Sequence, residues 1–384
     1  MYARDIEKIA LSVHQKLPIL TITGPRQSGK TTLCQALFPK HSYLSLEDPD
    51  LRRFALSDPK SLFNQYDSSL IIDEIQRAPE LCSYLQGIVD QKNNKNTYVI
   101  TGSHSQLLME AVSQSLAGRC KVLELLPFSS HEILQFNKNI SLPELLINGG
   151  YPRIYDKNIA PGSWLKDYFQ LYVEKDARSI FNIKNLNQFE TFTRLLAGRT
   201  GQLLNYESIS NEVGASTTSI KQWLTVLETS YICYKLLPHF KNFNKRLTKS
   251  PKIYFHDTGL LCYLLKIQNE EQLETHPLRG QIFENFIINE LIKAKLNKGE
   301  ENNFYFWRDQ KGHEVDLIED NGQKLHPLEI KISKTFHSSF LKNIHYFNAL
   351  QEYEKADLIY CGNPEQREEV KIQNWKNFLS IRNQ

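Results

Sequence analysis

The sequence contains no run of 18 apolar residues, no CxxC pair, no histidine at zinc-ligand spacing and almost no surplus of either charge. A membrane span needs about 20 consecutive apolar residues, so neither a spanning segment nor a membrane partner is expected. The six cysteines, Cys34, Cys82, Cys120, Cys233, Cys262 and Cys361, are too scattered for a metal module or a disulfide scaffold. They read as reduced, mostly buried thiols of a cytoplasmic protein. Lys and Arg number 46 against 43 Asp and Glu, and a net charge of +3 gives no pointer to nucleic acid, so any basic surface has to be local. No fixed-period repeat and no low-complexity tract occurs, which excludes solenoid, collagen-like and mucin-like chains. Residues 1–20 carry charge through their first half and lack an apolar core before a small-residue cleavage site, so no signal peptide is expected.

What is present is the balance of a globular protein, with 41% hydrophobic and 23% charged residues over 384 positions. That length predicts two or three folded units at about 100–200 residues each. The texture changes twice. Short β-branched runs at 19–23, 43–46, 70–73, 98–101 and 121–125 alternate with helical stretches, which predicts a mainly parallel α/β sheet in residues 1–150. Residues 151–275 are mostly helical, and 276–384 run helix, strands, helix, strand. Basic and acidic residues number 15 and 15, then 16 and 12, then 15 and 16 in the three segments, so only the middle one is positive, by 4.

The run 19–23 leads into Gly24-Pro25-Arg26-Gln27-Ser28-Gly29-Lys30-Thr31, a full match to the P-loop pattern GxxxxGK[ST], with a helix opening at Thr32. Loop N–H groups and the helix N-terminus wrap phosphates, Lys30 neutralises the β- and γ-phosphates, and the Thr31 hydroxyl joins the Mg²⁺ shell. The apolar run 69–72 ends in Asp73-Glu74. At this distance after a P-loop, Asp73 takes the Walker-B metal role and Glu74 polarises the attacking water. The run 98–101 ends in Gly102-Ser103-His104, where Ser103, with Thr101 behind it, is either a sensor of the γ-phosphate or part of a hydrogen-bonded turn. Arg119 is either an arginine finger reaching a neighbouring subunit of a homo-oligomer or an ordinary surface residue.

In the middle segment, 206–216 reads as a short helix and a glycine turn. The next helix, 217 to about 230, places Ile220, Trp223, Leu224 and Leu227 on one face, the pattern of a helix-turn-helix. Strand-like runs at 231–236 and 252–255 extend this to a winged helix. Lys241, Lys245, Arg246, Lys249 and Lys252 fall between them with no acid. This stretch is either a DNA-contacting wing or a solvated loop on a protein-packing module.

The last segment orders its acids as a helix glutamate, Glu284, a strand aspartate, Asp316, and a strand Glu329-x-Lys331. Glu329 and Lys331 project from one side of a strand. This arrangement suits metal-assisted phosphodiester cleavage. Asp316 and Glu329 would bind Mg²⁺ or Mn²⁺, Glu284 would support a metal or a water, and Lys331 would stabilise charge. The same pattern also occurs in folds that only bind.

The segments GPRQSGKTTL, SLIIDEIQRAPEL, YVITGSHSQLL, SLAGRCKVLELLPFS, NGGYPR, LAGRTGQLLNYESIS, SPKIYFHDTGL, GQIFENFIINEL, FYFWRDQKGHEVDLI and PLEIKIS together resemble a bacterial and archaeal family of AAA+-like ATPases. The resemblance spans nearly the whole chain. It implies an ATP-binding domain over 1–150, a helical winged-helix region over 151–275 and a PD-(D/E)XK nuclease-like, restriction-endonuclease-like α/β domain over 276–384. Matching the motifs carries nucleotide contacts onto Gly24 to Thr32, the Walker-B role onto Asp73 and Glu74, and the nuclease-like set onto Glu284, Asp316, Glu329 and Lys331. Val315 stands where a proline often precedes the aspartate, a departure found in active and inactive relatives alike. The expected activity is hydrolysis of ATP with Mg²⁺, coupled to a DNA-facing module. The alternative is a nucleotide-gated switch whose nuclease-like domain is inactive.

Overall fold

The structure is a computed structural model and describes the chain except for residues 1, 67–68, 92–96, 104, 175–182, 184, 240–249, 323, 351–354, 368–369 and 384. The first five strands are β1 (Ile19–Thr23), β2 (Ser42–Ser45), β3 (Leu70–Asp73), β4 (Tyr98–Gly102) and β5 (Cys120–Glu124). They form one sheet in the order β2-β3-β4-β1-β5, with every pairing parallel. Its central strands are buried on both faces, as a parallel sheet covered by helices requires. Ile19 packs into one apolar cluster while Leu20 and Ile22 pack into another on the opposite side. Parallel strands end at one edge, so the segments after β1, β3 and β4 all gather there, with β4 between the other two.

The middle of the chain packs a helix over Leu186–Ala197 against two more, which meet at a tight turn. Ile220, Trp223, Leu224 and Leu227 are all buried, as their spacing predicts. Asn205 and Ser216 cap the two turn-joined helices, accepting from Ser208 N and Ser219 N at 3.0 Å each. Strands β6 (Cys233–Leu236) and β7 (Lys252–Phe255) then pair antiparallel. β6 starts two residues later than the sequence suggests, because Tyr231 takes a left-handed φ of 57°. Of the basic stretch, Lys241, Lys245, Arg246 and Lys249 lie outside the described residues. Lys252 corrects the sequence reading of an exposed basic stretch: it is 2% exposed, with its ammonium between Glu284 and Glu314.

The rest of the chain forms a six-stranded mixed sheet in the order β12-β13-β11-β10-β9-β8. These strands are β8 (Phe304–Arg308), β9 (Glu314–Asp320), β10 (Leu325–Lys331), β11 (Ala356–Tyr360), β12 (Glu365–Arg367) and β13 (Val370–Asn374). The 18-residue helix Arg279–Leu296 packs against it. The edge strand β8 is met by the middle domain: His239 N donates to Phe306 O at 2.7 Å and Phe306 N to Leu237 O at 3.1 Å. One apolar cluster runs from Leu126 through Trp223 and Phe283 to Leu379, so middle and C-terminal segments share a core.

Candidate functional site

Lys30–Leu37 forms helix α1 directly after the P-loop. Gly24 has φ 145°, and a Cβ there would stand 2.2 Å from Leu125 O, so no other residue fits the loop's close approach to β5. Gly29 takes φ 92° at the start of α1, again a backbone conformation that side chains disfavour. The loop closes on Lys30, whose Nζ donates to Gly24 O at 2.9 Å and Pro25 O at 2.8 Å. Burial lowers the Lys30 ammonium to about 8, against the opposing charges of Glu74 and Asp73. Ser28 Oγ is buried with no hydrogen-bond partner among the described residues. A cavity of about 440 Å³ opens over Arg26, Gln27, Gly29, Lys30, Thr31 and Thr32.

The structure brings the predicted acids to this loop. Thr31 Oγ1 donates to Asp73 Oδ2 at 3.0 Å, and Asp73 also accepts from Tyr43 Oη at 2.7 Å and from Thr101 Oγ1. Glu74 follows in a left-handed conformation, φ 60°, that turns its side chain away from Asp73. Its carboxylate accepts from Ser103 Oγ at 3.1 Å and from Gln76 Nε2, and Gln76 also reaches Ser103 Oγ at 3.3 Å. Thr101 therefore holds Asp73 and Ser103 holds Glu74, which gives each a definite place behind the loop. His104 lies outside the described residues.

Arg119 is not brought to this site. It precedes β5 and its carbonyl accepts from Ile19 N, at the sheet edge opposite the P-loop. Its guanidinium forks onto Asp90 at 2.6 and 2.7 Å. Sequence reasoning missed Tyr43, Gln76, Arg4 and Arg153. Arg4 is buried, donating to Glu132 at 2.9 Å, to Ser28 O at 2.9 Å and to Leu126 O at 2.7 Å, so it braces the P-loop from behind. Arg153 lines the cavity from NGGYPR, a segment quoted for its resemblance and not for chemistry. Only Gln76, two residues beyond Glu74, left a signal in the sequence.

The second cluster also assembles. Lys331 Nζ lies 3.1 Å from Asp316 Oδ2 and 2.7 Å from Glu329 Oε1, and Ile330 N donates to Asp316 Oδ2 at 2.8 Å. Burial, with the Asp316 charge beside it, pushes Glu329 up to about 8 against the pull of Lys331. Burial also raises Glu284, against Lys252. Unforeseen members complete the group. Lys252 Nζ lies 3.3 Å from Glu284 Oε1 and 2.5 Å from Glu314 Oε1, and Tyr254 Oη donates to Glu284. Among the described residues no three His, Cys, Asp or Glu side chains converge closely enough to hold a metal ion. In this arrangement the carboxylates are paired with lysines, and a divalent cation does not fit.

Three family models match consecutive stretches: an AAA domain over residues 16–134, a domain of unknown function (DUF8612) over 139–271 and another (DUF4143) over 279–381. An uncharacterized protein of Mycobacterium tuberculosis is 30% identical over 326 residues, which cover 83% of this chain and 71% of that protein. An uncharacterized protein of Methanocaldococcus jannaschii is 25% identical over 295 residues, covering 63% and 61%. Among solved structures, a Walker-type ATPase of Pyrococcus abyssi aligns with a TM-score of 0.47 at 14% identity, over 69% of this chain and 96% of that one. No helix among the described residues is long and apolar enough to cross a membrane.

Proposed function

This chain belongs to the same family as its mycobacterial relative and carries an AAA domain, and from that premise we propose that it binds ATP with Mg²⁺ and hydrolyses it to ADP and phosphate. The residues suit that ligand: a buried hydroxyl without a partner at Ser28, a buried ammonium at Lys30, and two oxygens, of Thr31 and Asp73, 3.0 Å apart. The N–H groups from Gly24 to Thr32 would cradle the phosphates, and Lys30 would exchange its carbonyl partners for phosphate oxygens. Thr31 directly, and Asp73 through water, would hold the metal, which supplies neutralising charge to the β- and γ-phosphates. Glu74 would orient the attacking water and accept its proton. Ser103 and Gln76 would hold the carboxylate in place for that task.

The observation that carries this reading is the Glu74 carboxylate held by Ser103 and Gln76 beside an assembled Lys30–Thr31–Asp73 set. The test is ATP turnover and nucleotide binding in two variants. Lys30→Ala is expected to lose binding, and Glu74→Gln to keep binding while turnover falls about 10²–10⁴-fold. Both variants matching the parent would overturn it.

For the rest of the chain we propose a winged-helix segment and a restriction-endonuclease-like domain that respond to nucleotide state and contact DNA. The turn-joined helices, the β6–β7 hairpin and the mixed sheet carrying Glu284, Asp316, Glu329 and Lys331 support this. The lysine pairing of those acids favours a nucleotide-gated binding switch over a standing nuclease. Mn²⁺-dependent nicking of DNA by the resting protein, lost in Asp316→Ala, would reverse that preference.

A further inference from the structure

Lys252 is the least expected member of the carboxylate cluster. It comes from the middle domain, yet its ammonium sits between Glu284 of the long helix and Glu314 of β9, over the ring of Phe306 at 5.5 Å. At 2% exposure it cannot reach a nucleic-acid substrate. It can only neutralise the acids around it.

Its strand is pinned by directional bonds. Asn285 accepts from Phe255 N at 2.8 Å and donates to Phe255 O at 2.7 Å, while Asn289 donates to the same carbonyl at 2.6 Å. Beyond β6, Leu237 and His239 bond both backbone groups of Phe306. The hairpin is thus fixed against the long helix and β8, and Lys252 projects from it among the acids.

Four carboxylates, of Glu284, Glu314, Asp316 and Glu329, are shared between two ammoniums, of Lys252 and Lys331. Buried carboxylates require a counter-cation, and a lysine and a divalent metal compete for the same oxygens. Glu329 Oε2 is left buried without a partner, a ligand atom that the lysines do not use.

We infer that Lys252 is a tethered cation occupying the carboxylate cluster in place of a divalent metal, so that metal binds there only when the Lys252 ammonium leaves its carboxylate partners. This rests on the nuclease-like reading of the C-terminal domain and adds its regulation: the site is closed by the domain before it. A route to the nucleotide exists, because Tyr231, two residues before β6, shares a hydrogen bond of 3.1 Å with Thr23 Oγ1 at the entrance to the P-loop.

The test is Mn²⁺ binding to the full chain without nucleotide, followed by the electron paramagnetic resonance signal of free Mn²⁺. Lys252→Met should bind one Mn²⁺ at least tenfold more tightly than the parent, and adding Asp316→Asn should abolish that site. Lys252→Met/Glu314→Gln, which removes both partners of the closest pair, should behave like Lys252→Met and serves if the single variant does not fold. Equal, Asp316-dependent Mn²⁺ affinity in parent and Lys252 variants would overturn the tethered cation and leave the metal site standing. No Asp316-dependent binding in any folded variant would overturn both the tethered cation and a metal role for these acids.

Discussion

Lys30 sits where burial and charge pull against each other, and its consequence is a pH dependence. With its ammonium lowered to about 8, Lys30 is charged below that pH and increasingly neutral above it. Phosphates need the charged form, so nucleotide affinity should fall as pH rises through about 8, by up to about tenfold per unit. Binding above that pH should take up a proton, measured as a dependence of the calorimetric heat on the buffer's ionisation enthalpy. Lys30→Arg should flatten the profile, because a guanidinium stays charged. Gln76 makes a second case: Gln76→Leu removes one of the two side-chain donors to the Glu74 carboxylate. Turnover should drop about 10–100-fold with nucleotide Kd unchanged, whereas a merely structural glutamine would leave the kcat alone. Lys30 and Thr31 were legible in the sequence because a P-loop fixes its chemistry by local spacing, and Asp73 and Glu74 because two acids end an apolar strand after it. Tyr43 and Lys252 were not, since their partners are chosen by tertiary contact.

Elements were legible wherever a period or a cap sets them locally. The buried strands β1 and β3 and the face of Ile220, Trp223, Leu224 and Leu227 follow directly from pattern. What the pattern could not give was which element each edge strand meets, so Lys252 read as part of a wing or a solvated loop although every residue of β7 is buried. Asp257 shows how such a junction is held. Its carboxylate caps the helix Thr258–Leu264 by accepting from Leu260 N at 2.8 Å, and it also takes Gly150 N at 2.7 Å from the preceding segment. Asp257→Ala forfeits a cap and strands a buried N–H, so stability in denaturant should fall by about 2–4 kcal/mol. Asp257→Asn, which keeps one acceptor oxygen, should recover part of that loss.

At the scale of the molecule, the cores divide the chain differently from its motifs. Two clusters, reaching from Ile6 to Leu125, cover the faces of the parallel sheet, while the large cluster starting at Leu126 continues through the middle and C-terminal segments. Between the two bodies polar ties run beside the contact of the Tyr2 ring with Phe128 at 5.4 Å. Arg4 bonds Glu132 at 2.9 Å and Leu126 O at 2.7 Å, His131 Nδ1 lies 2.9 Å from Asp5 Oδ1, and Tyr231 shares a hydrogen bond of 3.1 Å with Thr23 Oγ1. Apolar burial makes unfolding cooperative within a body, and a polar seam lets two bodies melt apart. Calorimetry should therefore resolve two transitions, one for the parallel-sheet domain and one for the middle and C-terminal segments together. MgATP bound to Glu74→Gln at about 100 times its Kd should stabilise the first by about 2.7 kcal/mol and move the second far less. A single transition that shifts as a whole would mean instead that the seam is as cooperative as the cores, and that nucleotide energy reaches Lys252 without loss.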